Sequence, residues 1–191
     1  MELIGVYLAA CLLLAVAGVA KARRPQDTAR ALAAVSSGAG GRGPSPGLAR
    51  QLVRAGALAE ALLGLTGLVL AGNRPAAGAV ALSFGAFALY VAVIRRGGGA
   101  LSTCGCFGTP DTPATRLHVV VDLGLAAAAL AVAVTPRPAG SAVLVGAVLG
   151  HQPWHGLPLA LSAVVCAWIL FHVLSTLPRL QAARAGARGA A

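Results

Sequence analysis

Apolar residues run almost unbroken through five stretches of the chain, 2–20, 52–72, 76–94, 117–134 and 157–177, and the polar residues collect between them. The runs are continuous, without the period-two alternation of a half-buried or barrel strand. A hydrocarbon layer about 30 Å thick takes roughly 20 helical residues to cross, so each stretch qualifies, or nearly qualifies, as a membrane-spanning helix. A sixth run, 139–150, is too short to span and reads as an interfacial or re-entrant piece. The pattern predicts an all-α integral membrane protein: a four-helix transmembrane bundle followed by a fifth, C-terminal transmembrane helix, with 1–191 forming one domain.

The connections sharpen this outline. Residues 21–51 make a long link in which Asp27 is placed to cap a short helix over 28–35, followed by the flexible Gly/Ser/Pro-rich loop "SSGAGGRGPSPG" at 36–47. Asn73-Arg74-Pro75 reads as a tight turn, which makes the second and third helices antiparallel neighbours. The fourth helix is expected to start with Thr112 as cap and Pro113 in its first turn. His151, Trp154 and His155 stand at the start of the fifth helix, at headgroup level. Gly56, Gly64 and Gly67 form an expected small-residue packing face on the second helix. The first stretch opens Met1-Glu2 without a basic leader region, so it is read as a permanent helix.

Composition agrees with the pattern, since 58% of the 191 residues are hydrophobic and 10% charged, and the mean hydropathy is +0.81. The net charge of +10 invites a nucleic-acid reading, but the basic residues sit in the connections and not on a folded basic face. Of the 15, 13 fall on one side of a five-span topology, and only Arg74 and Arg137 fall on the other. The positive-inside rule then puts the N-terminus outside, and the C-terminus and the connection after the third helix in the cytoplasm, in a cell (inner) membrane. Charge here reports topology and a lipid environment, with no nucleic acid implied.

Two features carry chemistry. "STCGCFGTP" at 102–110 places Cys104 and Cys106 one glycine apart in the loop after the third helix. Residues at i and i+2 can bring their Cα atoms to about 5.5–7 Å, within or at the edge of disulfide range, and Gly105 permits the turn. A disulfide in so small a ring is readily reduced, which suits electron exchange better than stapling. Arg95, Arg96, Arg116 and His118 would favour the thiolate. The same thiolates would also suit a soft metal such as copper(I), and the plainest alternative leaves them as small loop residues. Cys11 and Cys166, inside helices, read as inert. The second feature is a set of ionisable residues inside the spans. Glu60 lies about 9 Å inward from Arg54, Asp122 about 9 Å inward from Arg116, and His172 about 9 Å inward from Pro178, all from the basic side. His118 shares a face with Asp122 one turn away, and Thr115 extends that stripe towards the cysteines. Lys21, the sole lysine, ends the first helix and is the expected partner of Glu60. Charges at such depth pair or line a wet cavity, so Glu60, Lys21, His118 and Asp122 are candidates for an ion pair or a proton relay.

"CGCFG" after a membrane helix, "AGVAK" closing the first helix and the glutamate in "LAEALLG" together resemble the methylamine utilisation protein MauE family, a relative of the DoxX-like membrane proteins. The resemblance spans roughly residues 5–134 and implies a four-helix core associated with thiol redox, often encoded beside thioredoxin-like proteins. It further implies a role in maturing a disulfide-rich extracytoplasmic enzyme subunit, such as an amine dehydrogenase subunit. It carries over Cys104 and Cys106 as the redox or metal pair, Glu60 as the intramembrane acid and Lys21 as the basic helix end. The family's arginine–asparagine pair early in the fourth helix is replaced by "LHVVVDLG". The expected function is thus a component of thiol–disulfide oxidoreductase chemistry, in which the Cys-Gly-Cys pair exchanges electrons with a thioredoxin-like partner. The rival class is soft-metal binding or small-solute transport. No nucleotide motif, haem pair or hydrolase constellation is visible, so no cofactor is predicted; neither quinone nor copper has a sequence signature.

Overall fold

The computed structural model describes residues 3–26, 28–30, 44–96, 115–136, 144–150 and 152–189. Among the described residues there is no strand, and the ordered elements are helices. They are α1 (Leu3–Arg23), α2 (Pro46–Val69), α3 (Arg74–Arg96), α4 (Arg116–Val134), a six-residue α5 (Val145–Gly150), a 3-10 turn at Pro153–Gly156 and α6 (Leu157–Gly189). Five of these are long and apolar enough to cross a membrane. Leu62, Leu82, Leu89, Val120 and Trp168 all point outward. An outer surface built of such side chains is compatible with lipid and not with water. The protein is an all-α, multi-pass membrane protein.

Helix α1 is the centre of the bundle. Five consecutive residues, Tyr7 to Cys11, are buried, and at 100° per residue such a run has neighbours on every side. Those neighbours are α2, α6 and α4, while α3 pairs chiefly with α4. The tight turn does bring α2 and α3 together, yet each has its larger interface elsewhere, α2 on α1 and α3 on α4.

Helix boundaries follow local chemistry. Helix α2 begins at Pro46, six residues before the expected start, because Ser45 Oγ accepts from the Leu48 N–H at 3.4 Å and Pro46 opens the helix where no N–H is needed. Residues 46 and 47, expected in the flexible loop, are therefore helical; 31–43 lie outside the described residues. Ala29 packs with Ala49 and Val53, tying the connection to the start of α2. Asn73 caps α3 by accepting the Ala76 N–H at 2.8 Å. Arg74 donates through Nε to the Ala133 carbonyl at 2.7 Å, satisfying an orphan acceptor at the C-terminal end of α4. Thr112 and Pro113 lie outside the described residues, and the cap of α4 is Thr115. The short run before α6 includes Trp154 and His155 in the left-handed region (φ 57° and 51°), both exposed, with Gly156 at φ 72°. Helix α6 continues past Pro178 to Gly189, beyond the expected end at 177.

The α1–α2 seam depends on residues with almost no side chain. A Cβ on Gly18 would lie 2.6 Å from the Ala57 carbonyl oxygen and the Ala61 nitrogen, and one on Gly64 would lie 2.6 Å from the Ala15 nitrogen and the Cys11 carbonyl oxygen. These are backbone atoms, which cannot swing aside. Gly67 also faces α1, against Cys11 and Tyr7. Gly56 does not: it is exposed with open space around it, and the buried position beside it is Ala57. The packed face of α2 runs Val53, Ala57, Ala61, Gly64 and Gly67, displaced by one residue from the expected stripe at its start. Gly64→Ala should therefore lower the unfolding midpoint in detergent by the equivalent of about 1–3 kcal/mol. Gly56→Ala should leave it unchanged or raise it by up to about 1 kcal/mol, since alanine is the better helix former. Equal effects at the two positions would contradict the seam.

Candidate functional site: a buried charge cluster at the basic end of the bundle

The close approach at Gly18 fixes what happens one turn later on α1. Lys21 follows Gly18 by three residues, and Glu60 sits between Ala57 and Ala61, the residues Gly18 touches. The two side chains meet as an ion pair, Lys21 Nζ to Glu60 Oε2 at 2.5 Å. The lysine side chain is 5% exposed and the glutamate 18%, so the pair has its carboxylate nearer the outside. The ammonium also lies over the Phe87 ring of α3, 4.1 Å from its centroid. A desolvated cation on an aromatic face gains from the ring quadrupole, by about 2 kcal/mol.

Helix α4 supplies the other two groups. The Thr115 N–H donates to His118 Nδ1 at 3.4 Å, and Thr115 Oγ1 is 3.0 Å from the same nitrogen. His118 thereby occupies the place that Glu or Gln takes in a capping box. An N–H can only donate, so Nδ1 is the acceptor and Nε2 carries the proton of a neutral ring. Nε2 is buried beside the Leu174 backbone without closing a well-formed hydrogen bond. Residue 178, which would be the helical donor to the Leu174 carbonyl, is a proline with no N–H. Asp122, one turn further along α4, is 9% exposed.

Lys21, His118 and Asp122, with Leu13, Phe87 and Leu174, line a cavity of about 30 Å³, room for one or two waters. The site thus draws on α1, α2, α3, α4 and α6. Four sequence candidates, Lys21, Glu60, His118 and Asp122, fall in one neighbourhood. His172 does not join them: it is exposed on α6, edge-to-face with Trp168 at 4.5 Å between centroids and with Phe171 at 5.7 Å. Helical depth alone could not reveal that its face points away from α1. Cys11 is buried in the α1–α2 seam and Cys166 is exposed on α6, both as free thiols. Cys104 and Cys106 lie outside the described residues; their segment leaves α3 at Arg96 and re-enters at Thr115. Among the described residues no three of His, Cys, Asp and Glu gather to hold a metal ion.

A family model described as "Methylamine utilisation protein MauE" matches residues 2–135, which is α1 to α4 and the whole of the charge cluster's ionisable set. The chain belongs to the MauE family. No curated protein and no solved structure matches it. The MauE match ends with α4, so α5 and α6 lie beyond the matched residues, and α6 contributes Leu174 to the cavity.

Phe87 and the Leu174 carbonyl were not read from sequence. The first has no pattern beyond Phe84 three residues earlier, whereas Pro178, four residues after Leu174, is a legible signal of a carbonyl without its helical donor. Phe87→Leu keeps apolar volume and removes the ring face beneath the ammonium. It should lower stability by about 1–2 kcal/mol when Lys21 is present, and by clearly less in a Lys21→Met background, measured by unfolding of the detergent-solubilised protein.

Proposed function

We propose that this MauE-family protein takes part in methylamine utilisation as a membrane thiol-redox component, with Cys104 and Cys106 as the reacting thiols. A thioredoxin-like partner's disulfide is reduced to two thiols as Cys104 and Cys106 join in a disulfide, and the reverse step returns the two electrons and two protons. The end served by this exchange is maturation of a disulfide-rich partner enzyme such as an amine dehydrogenase subunit. The observation that carries the reading is the coincidence of place. The segment holding the cysteines enters α4 at Thr115, and His118 and Asp122 follow within two turns, beside Lys21 and Glu60. Thiol–disulfide exchange releases and consumes protons, and a carboxylate–imidazole cluster next to the reacting loop is the kind of group that carries them.

The charge distribution supports a cytoplasmic position for this loop in the cell membrane, with the N-terminus outside. Cytoplasmic thiols are held reduced, so the loop on that side would draw electrons from the reducing compartment.

Cys106→Ser should leave Cys104 able to attack a partner's disulfide but not to resolve it, trapping a mixed disulfide with a thioredoxin-like protein that reductant releases. Purified protein that holds copper(I) stoichiometrically and forms no mixed disulfide would replace this reading with the soft-metal one. For topology, a membrane-impermeant thiol reagent should miss Cys104 and Cys106 in intact cells and label them after lysis. Labelling of intact cells would reverse the orientation.

A further inference from the structure

Among the described residues, the cluster contains one more carboxylate than it has cations. Lys21 is the buried cation, and Glu60 and Asp122 are the two acids that flank it from α2 and α4. Among the described residues, the groups that share the cavity with Asp122 come from each of the surrounding helices. From α1 comes Lys21, from α2 the Glu60 that Lys21 already holds, from α3 the apolar Phe87, and from α6 the Leu174 backbone beside His118. On its own helix the neighbour is His118, and Arg116 is exposed. His118 does not make up the missing charge. Thr115 Oγ1, 3.0 Å from Nδ1, can accept from a protonated ring, but a proton there leaves two further charges, imidazolium and Asp122 carboxylate, to be buried, whereas a proton on Asp122 leaves both groups neutral. With Lys21, Glu60 and Asp122 all ionised the site would bear a net negative charge inside a membrane bundle, which is costly without a counter-ion.

We propose that the cluster holds one exchangeable proton at rest, seated on the Asp122 carboxyl, while Glu60 remains ionised as the counter-ion of Lys21. The division follows from position. Glu60 touches the ammonium and is the more exposed of the two acids, whereas Asp122 is buried against the cavity. Asp122 is then a proton-binding site whose occupancy is set by Lys21: a carboxylic acid with an O–H to donate into a cavity that accommodates water. This deepens the relay reading of the cluster but stands apart from the thiol chemistry, because charge balance does not require the cysteines to react.

Infrared spectroscopy of the purified, lipid-reconstituted protein at neutral pH reads it directly, through the C=O stretching band of protonated carboxyl groups and its shift in heavy water. The wild type should show one such buried carboxyl, and Asp122→Asn should abolish it. Glu60→Gln should abolish it as well, because Asp122 then becomes the counter-ion of Lys21 and ionises. Lys21→Met should roughly double it, since neither acid keeps a cation. Cys104→Ser should leave the band unaltered, so the proposal is judged whether or not the thiols prove reactive. No band in the wild type, or a band that survives Asp122→Asn, would overturn the assignment. A band that survives Glu60→Gln in folded protein would overturn the charge-balance cause.

Discussion

One ammonium group placed inside an apolar bundle constrains the rest of the molecule. Lys21 is the sole lysine of the chain and is almost completely buried. A cation in that position must be matched in charge and wrapped in donors' partners, or the helix carrying it would be expelled towards water. Glu60 matches the charge, Phe87 covers one face, and Asp122 closes the remaining side through the cavity. Three helices therefore have to converge on the end of α1 in one register. The ion pair is weak grounds for stability in itself, because desolvation offsets much of the Coulombic gain, but breaking it forces the remaining groups to rebalance their charge inside the bundle. Its consequence is specificity of arrangement.

The glycine seam and the ion pair serve the same geometry. In lipid there is no hydrophobic force to draw helices together, so close backbone packing has to supply the attraction. Gly18 and Gly64 let α1 and α2 touch backbone to backbone. Only at that separation do Lys21 and Glu60, flanking the same contact, reach each other. On the opposite end Arg74 holds α3 to α4 through the Ala133 carbonyl. The two helix pairs are thus closed at opposite ends, leaving the charge cluster at the end where the cysteine-bearing segment joins α3 to α4.

Much of this was legible in the residues. The five spans follow from continuous apolar runs, and the contact between Lys21 and Glu60 follows from the expense of isolated charges in a membrane. What the sequence missed has physical reasons. The start of α2 was hidden because a Ser-Pro-Gly string resembles a linker, and only the capping bond from Ser45 distinguishes a helix start from a loop. Glycine composition does not reveal the phase of a helix, so it points to Gly56, whereas the buried series begins at Val53 and Ala57. His172 shares the depth of the cluster but not its direction, and depth is all that counting residues along one helix can give. The capping role of His118 was also unread, since imidazole is an uncommon substitute for the acidic or amide side chain of a capping box.

The central claim, that Lys21 and Glu60 form a buried pair on which the bundle's arrangement depends, is tested most directly by a double-mutant cycle on unfolding free energy. Lys21→Met and Glu60→Gln alone should each destabilise the protein, by less than the about 3–5 kcal/mol of an uncompensated buried charge, because Glu60 is partly exposed and the Asp122 and Glu60 carboxyls can change protonation to restore charge balance. The double variant should be milder than the sum by at least about 1 kcal/mol. Additive effects of the two substitutions would mean that the pair is not coupled, and would contradict the account.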